Sequence, residues 1–306
     1  MFDIVIIGGG PAGLTAGLYA SRARLKCLLI EKGLMGGQVA TTELIENYPG
    51  FEQGITGAEL SSKMEEQAKK FGLETVQTYV ESISIRDKIK TITIEGGGEY
   101  EVKSVILGTG AKPTRLGVKG EGKFRGKGVS YCATCDGAFF KGESIAVVGG
   151  GNSGVEEAVF LTKFAEKVYV IHRRDKLRAD KIAQERAFSN NKVEFKWDTV
   201  IEEITGENEV KALHLKNVKT QERSVLNVTG LFIYIGYNPN TGFIKDIVKL
   251  DENNYIITDF DMATSVPGIF AAGDVVSGSV KQISVAVGQG TTAAISAGKY
   301  IDENFA

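Results

Sequence analysis

Cysteine is scarce, at three in 306 residues. That number cannot build the disulfide framework of a small secreted scaffold. Histidine is scarcer still, at two, alongside five prolines and one tryptophan. Zinc takes about four ligands, usually Cys and His in paired half-sites. Beyond one close cysteine pair, only Cys27, His172 and His214 remain, so no second half-site exists and no metal is expected. Long apolar runs are missing too. None approaches the roughly 18 residues that span a bilayer. The apolar start Ile4-Val5-Ile6-Ile7 has no basic stretch before it, and three glycines interrupt it at once, which argues against a secretory leader. An excess of one charge is also absent: 36 Lys and Arg face 38 Asp and Glu, a net charge of −2. That balance argues against a nucleic-acid or membrane-surface partner. The expected location is the cytoplasm.

Glycine, by contrast, is abundant, at 38 residues. Many glycines with few prolines suggest tight strand-to-helix turns rather than disordered linkers. The chain contains one pattern twice. The first copy runs Ile4-Val5-Ile6-Ile7, Gly8-Gly9-Gly10-Pro11-Ala12-Gly13, then Leu14 to Ala23. The second runs Ile145-Ala146-Val147-Val148, Gly149-Gly150-Gly151-Asn152-Ser153-Gly154, then Val155 to Phe164. Each is a short buried strand, a Gly-x-Gly-x-x-Gly turn and a helix. A lone glycine motif is weak evidence, but a strand before and a helix after is the context that confirms it. The first glycine permits the turn, the second lets backbone approach a pyrophosphate, and the third lets helix pack on strand.

At about 150 residues per domain, the length suggests two domains. Each copy also closes on a similar strand and turn, Val105 to Pro113 and Phe232 to Pro239. The segment from about 243 belongs to neither copy and suggests a return to the first domain. Its strand-like Ile269-Phe270-Ala271 runs into Gly273-Asp274, and an Ala-rich helix from Ser284 to Tyr300 follows.

The nucleotides can be told apart by charge. An acid about 20 residues after the glycines reads as an acceptor for a ribose 2′-hydroxyl. Glu31 fits in the first copy, so that site takes FAD or NAD. The matching strand of the second copy ends in His172-Arg173-Arg174, with Arg178 following. A guanidinium cluster there suits the 2′-phosphate of NADPH. Between the two copies lies Cys132-Ala133-Thr134-Cys135, followed by Asp136. Such a pair cycles between dithiol and disulfide and lowers the pKa of one thiol. Cys27 sits in an apolar strand-like run and reads as a core residue.

Together these motifs resemble the low-molecular-weight thioredoxin reductase family along the whole chain. The resemblance rests on Gly8-x-Gly10-x-x-Gly13, Gly36-Gly37-Gln38, Glu46-Asn47-Tyr48-Pro49-Gly50, Cys132 to Asp136, Gly149-x-Gly151, His172-Arg173-Arg174 with Arg178, and Gly273-Asp274 followed by Gln282. It implies two Rossmann-like, three-layer α/β nucleotide-binding domains, the second inserted into the first. Residues 1–113 and 243–306 would bind FAD, and 114–242 would bind NADPH and carry the Cys-x-x-Cys. FAD would be held by Gly8, Gly10, Pro11, Ala12, Gly13, Glu31, Lys32, Gly36, Gly37, Gln38, Asn47, Gly110, Gly273, Asp274, Lys281, Gln282 and Ile283. NADPH would be held by Gly149, Gly151, Asn152, Ser153, Gly154, His172, Arg173, Arg174 and Arg178.

The family further implies that Cys135 faces the flavin, Cys132 attacks the partner disulfide and Asp136 moves protons. It implies a homodimer and thioredoxin, or a thioredoxin-like protein, as partner. Two differences from relatives stand near the cysteines: Ala138 precedes Phe139 and Phe140, and Lys127 stands where relatives often carry Arg.

Overall fold

Phe2–Ile7 forms the first strand, β1, and its residues Ile4 to Ile7 are buried on both faces. That is the signature of a central parallel strand. Ile4 and Ile6 pack into one apolar cluster and Val5 and Ile7 into another, on opposite sides of the sheet. The structure is a computed structural model that describes residues 1–42, 45 and 47–305. Glu46, part of the Glu-Asn-Tyr-Pro-Gly motif, lies outside the described residues.

After the glycine turn comes α1 (Pro11–Arg22), started by a proline whose missing N–H costs nothing in a first turn. β2 (Cys27–Glu31) follows. Helix α2 (Gly57–Lys70) opens where the Thr56 side chain accepts the Glu59 N–H at 3.2 Å. Strands β3 (Glu74–Gln77), β4 (Val80–Arg86), β5 (Ile89–Ile94) and β6 (Glu99–Leu107) complete this run. The sheet order is β3-β2-β1-β6-β5-β4, parallel from β3 through β6 and antiparallel across β4, β5 and β6.

The chain then leaves through β7 (Ala111–Pro113). The next unit holds β8 (Val129–Ser130), α3 (Ala133–Asp136), β9 (Ser144–Val148), α4 (Asn152–Leu161), β10 (Lys167–Ile171), α5 (Lys181–Ser189) and β11 (Val193–Lys196). A meander of β12 (Thr199–Gly206), β13 (Val210–Asn217) and β14 (Arg223–Asn227) precedes β15 (Gly230–Ile233). Its parallel sheet has the order β11-β10-β9-β15-β8. One face is covered by α4, through Ala158 and Leu161. The other is covered by the antiparallel meander, through Ile201, Ile204, Leu213 and Leu215, so a β layer stands where a helix layer would be usual.

The chain returns through β16 (Tyr237–Pro239), which pairs with β7. Strand β17 (Ile269–Ala271) then runs parallel to β6, and α6 (Ile283–Phe305) packs on α1. Gly290 permits that packing, because a Cβ there would lie 2.3 Å from the Ala12 carbonyl oxygen. The chain thus divides into two units, Met1–Lys112 with Asn238–Ala306, and Pro113–Tyr237. Both are α/β, with a Rossmann-like strand, glycine turn and helix at their centres.

Candidate functional site

In the first unit the three motif glycines have different jobs. A Cβ on Gly13 would lie 1.9 Å from the Gly8 carbonyl oxygen, so only glycine lets α1 sit this close to β1. At Gly10 the same test meets nothing within 4 Å. The N-terminal end of α1 therefore faces open space with no side-chain cap, a place for a phosphate. Glu31 leans over this turn. Its Oε2 accepts the Gly9 N–H and its Oε1 the Gly33 N–H, both at 2.7 Å. Each oxygen keeps a second lone pair, so a ribose hydroxyl can still be accepted. The Gly36 N–H donates to the Gly9 carbonyl at 2.7 Å, which brings Gly36 and Gly37 to the same turn.

Gln38 donates its side-chain amide to the Ala111 carbonyl. Asn47 donates to the Gln282 side chain at 3.2 Å. Gly110 accepts the Asn240 N–H at 2.9 Å, and Lys32 is exposed with its ammonium 5.5 Å from the Tyr79 ring centre. Ile283 begins α6. Burial raises the Asp274 carboxyl above the usual range, and the Lys281 charge opposes the rise. One residue of this region escaped the sequence reading. Gln289 accepts the Gly273 N–H at 2.8 Å and so fixes the turn before Asp274. An isolated glutamine on a helix gives no motif signal.

In the second unit Gly151 again has open space, while a Cβ on Gly149 would lie 2.3 Å from the Tyr234 carbonyl oxygen. Gly150 lies under the His172 ring, which a Cβ there would meet at 2.4 Å. Its carbonyl accepts the Arg178 N–H at 2.6 Å, tying the turn to the arginine loop. Asn152 accepts the Asp180 N–H at 2.7 Å, Ser153 is exposed, and Gly154 packs on Gly149.

His172 is only 6% exposed, and its Nε2 has no hydrogen-bond partner among the described residues. Burial, and then the charges of Arg178, Arg174 and Arg173, lower its pKa, although a backbone hydrogen bond at Lys176 opposes this. The imidazole is therefore neutral near pH 7 and sits beneath the turn rather than among the arginines. Arg173, Arg174 and Arg178 are exposed around a cleft of about 370 Å³ that Asp175, Asp198 and Lys219 also line. Lys219 pairs with Asp175 at 2.9 Å and Asp198 at 3.0 Å. Both acids are thus matched, while the three guanidiniums form no ion pair among the described residues. An oxyanion with several negative charges fits this donor set.

The cysteines lie in the same unit. Cys132 and Cys135 form a disulfide, with Cys132 as N-cap of the single-turn α3 and both half-buried. Asp136 accepts the Ser130 hydroxyl at 2.6 Å. The Ala133 N–H donates to the Tyr234 hydroxyl. Tyr234 therefore touches the glycine turn with its carbonyl and α3 with its phenol, whose pKa burial pushes far up. Glu121, 4% exposed, accepts the Tyr131 hydroxyl at 2.6 Å, the Leu116 N–H at 3.1 Å and the Gly117 N–H at 2.8 Å. The sequence reading missed both residues. Of the two aromatics after Ala138, Phe140 packs edge-on against Phe232 at 5.3 Å, while Phe139 is 55% exposed. Among the described residues no cluster of His, Cys, Asp and Glu could hold a metal, and no helix is long and apolar enough to cross a membrane.

Two dinucleotide turns and a close disulfide on one chain are also what known proteins share with it. The family model of the pyridine nucleotide-disulphide oxidoreductases matches residues 2–290. The chain belongs to that family. Among members of the pyridine nucleotide-disulphide oxidoreductases, it is 47% identical to a thioredoxin reductase of Peptoclostridium litorale, over 100% of this chain and 99% of that protein. It is 49% identical to a thioredoxin reductase of Bacillus subtilis, over 99% of this chain and 96% of the other. The crystal structure of thioredoxin reductase from Streptococcus pyogenes superposes with a TM-score of 0.94 at 49% identity, covering 99% of both chains.

Proposed function

We propose that the protein is a cytoplasmic, homodimeric thioredoxin-disulfide reductase that draws electrons from NADPH. The observation that carries this reading is a disulfide, Cys132–Cys135, in the same unit as a glycine turn flanked by three arginines that form no ion pair among the described residues. Full-length likeness to thioredoxin reductases supports the choice of a thioredoxin-like partner. FAD would be held at the Gly8–Gly13 turn by the α1 N-terminus, Glu31 and the 273–283 segment. NADPH would be held at the Gly149–Gly154 turn, with Arg173, Arg174 and Arg178 on its 2′-phosphate. When bound, the flavin relays two electrons from the nicotinamide to the disulfide.

The residues of the chain do the rest. Glu31 orients an adenosine ribose. The α1 terminus neutralises phosphate charge without a cation. Tyr234 holds the first N–H of α3. Asp136 gives the proton that an opening disulfide takes up. Cys132, whose sulfur lies 3.3 Å from the hydroxyl of exposed Thr134, would be the sulfur that attacks the partner disulfide, as the resemblance implies. The exchange itself proceeds through a mixed disulfide with that partner.

The test is the pair of variants Cys132→Ser and Cys135→Ser. Both are expected to lose reduction of thioredoxin and to keep bleaching of the flavin by NADPH. Either variant retaining disulfide reductase activity would show that the pair is structural.

A further inference from the structure

Ser130 is the last residue of β8 and is 5% exposed. Its hydroxyl makes more contacts than a strand end requires. It donates to Asp136 Oδ2 at 2.6 Å and accepts the Cys132 N–H at 3.0 Å. The Cys132 carbonyl lies 3.3 Å away, a longer alternative for its single hydrogen. One hydroxyl thus joins the proton-carrying acid to the backbone of a redox cysteine.

We propose that Ser130 is a positioning residue for the redox step: it holds Asp136 in register with the disulfide and stabilises the carboxylate that forms once Asp136 has given up its proton. The proposal rests on Asp136 being the proton carrier of the reaction proposed above. Opening Cys132–Cys135 breaks one S–S bond, consumes the electron pair that NADPH supplies as hydride, the proton of that hydride passing to water, and leaves one thiol and one thiolate. The single proton comes from the Asp136 carboxylic acid, which becomes carboxylate. A hydroxyl donating to that carboxylate favours the ionised product. The carboxylate form is also the one that must be re-protonated from water before the next cycle, so this hydrogen bond sets the pH at which the cycle runs.

The ionisable groups whose charge is felt at Tyr234, as that of Asp136 is, do not compete for this role. Tyr234, which feels the Asp136 charge, is half-buried and held neutral far above its ordinary pKa. Tyr237 donates its hydroxyl to the Tyr131 carbonyl at 2.9 Å. Glu157, on α4, is half-buried and raised by burial and by Glu156. Cys132 and Cys135 do not titrate while bonded to each other.

The experiment compares Ser130→Ala, Ser130→Thr and Asp136→Asn as holoenzymes with flavin bound. Two readouts are taken against pH. One is thioredoxin reduction at saturating NADPH. The other needs no turnover: the rate at which iodoacetamide alkylates the enzyme after reduction with dithiothreitol. Burial pushes the Cys27 thiol up to about 12, so alkylation reports the pair alone. In Ser130→Ala the inflection belonging to Asp136 is expected to move up by about one pH unit in both profiles. Ser130→Thr, which keeps the hydroxyl, is expected to restore it. Asp136→Asn is expected to remove that inflection. If Asp136→Asn removes it and Ser130→Ala leaves it in place, the role of Ser130 is wrong and that of Asp136 stands. If Asp136→Asn leaves it in place, Asp136 is not the proton carrier and both readings fall.

Discussion

Replacing Arg173 and Arg174 together by Ala tests where nucleotide choice resides. The structure sets the size of the effect. Both guanidiniums are exposed and form no ion pair among the described residues, so no ion pair among them is broken when they go. Their bonds to a ligand are lost. A hydrogen bond to a charged group is worth about 1.5–3 kcal/mol. Exposure and screening by about 0.15 M salt favour the lower end. Two bonds at about 1.5 kcal/mol each remove about 3 kcal/mol, which is on the order of 100-fold in kcat/KM. That loss should fall on NADPH and spare NADH, which has no 2′-phosphate. The assay is steady-state kinetics with both nucleotides at two salt concentrations, and the NADPH preference should shrink at high salt even in the parent enzyme. His172 is the internal contrast. It lies under Gly150, buried and neutral, so His172→Ala should disturb both nucleotides alike. If the double arginine variant also weakens NADPH and NADH equally, these arginines do not read the 2′-phosphate.

Two further outcomes follow from packing. Glu121→Ala leaves Leu116 N–H, Gly117 N–H and the Tyr131 hydroxyl without their buried acceptor, and it should cost about 2–4 kcal/mol in denaturant unfolding; stability unchanged from the parent would mean that the network contributes nothing. Gly13→Ala should abolish flavin retention, whereas Gly154→Ala should keep both the flavin and the preference for NADPH; comparable loss in the two variants would refute the steric distinction between them.

Much of the fold was legible because its strand, glycine turn and helix units are local in sequence. A phosphate turn needs a strand, three glycines and a helix in one short run, so periodicity and spacing reveal it twice. The arginine cluster is equally local, since Arg173, Arg174 and Arg178 share one loop. What stayed hidden is what the fold assembles from distant segments. Tyr234 meets Ala133 across about a hundred residues, and Gln289 reaches back to Gly273. Glu121 looks like any surface acid in a charged stretch until the loop folds three donors onto it. Lys90 is another case: in the sequence it sits among charged neighbours, yet it is 1% exposed. Its ammonium donates to the Lys88 and Lys103 carbonyls and to the Tyr300 hydroxyl. His172 stands beside two arginines in the chain, yet the structure buries it beneath Gly150 while Arg173 and Arg174 are exposed.

The two glycine turns also show how one motif can carry different constraints. At Gly13 a methyl group would collide with the Gly8 carbonyl oxygen at 1.9 Å, a backbone atom that cannot move without displacing β1. At Gly154 the nearest atoms to an added Cβ are Gly149 backbone atoms at 3.1–3.2 Å, close enough to need a shift of only a few tenths of an ångström. A third glycine is often associated with nucleotides that lack the 2′-phosphate, and Gly154 taken alone would point to NADH. The steric constraint there is weaker than at Gly13, so this glycine carries less weight as evidence for NADH. On the proposed reading charge then decides: the first turn would answer to Glu31, which accepts hydroxyls and repels a phosphate, and the second to three guanidiniums that form no ion pair among the described residues and would attract one. On the proposed reading each turn would bind its pyrophosphate by the same backbone, and the side chains after the following strand would choose the nucleotide.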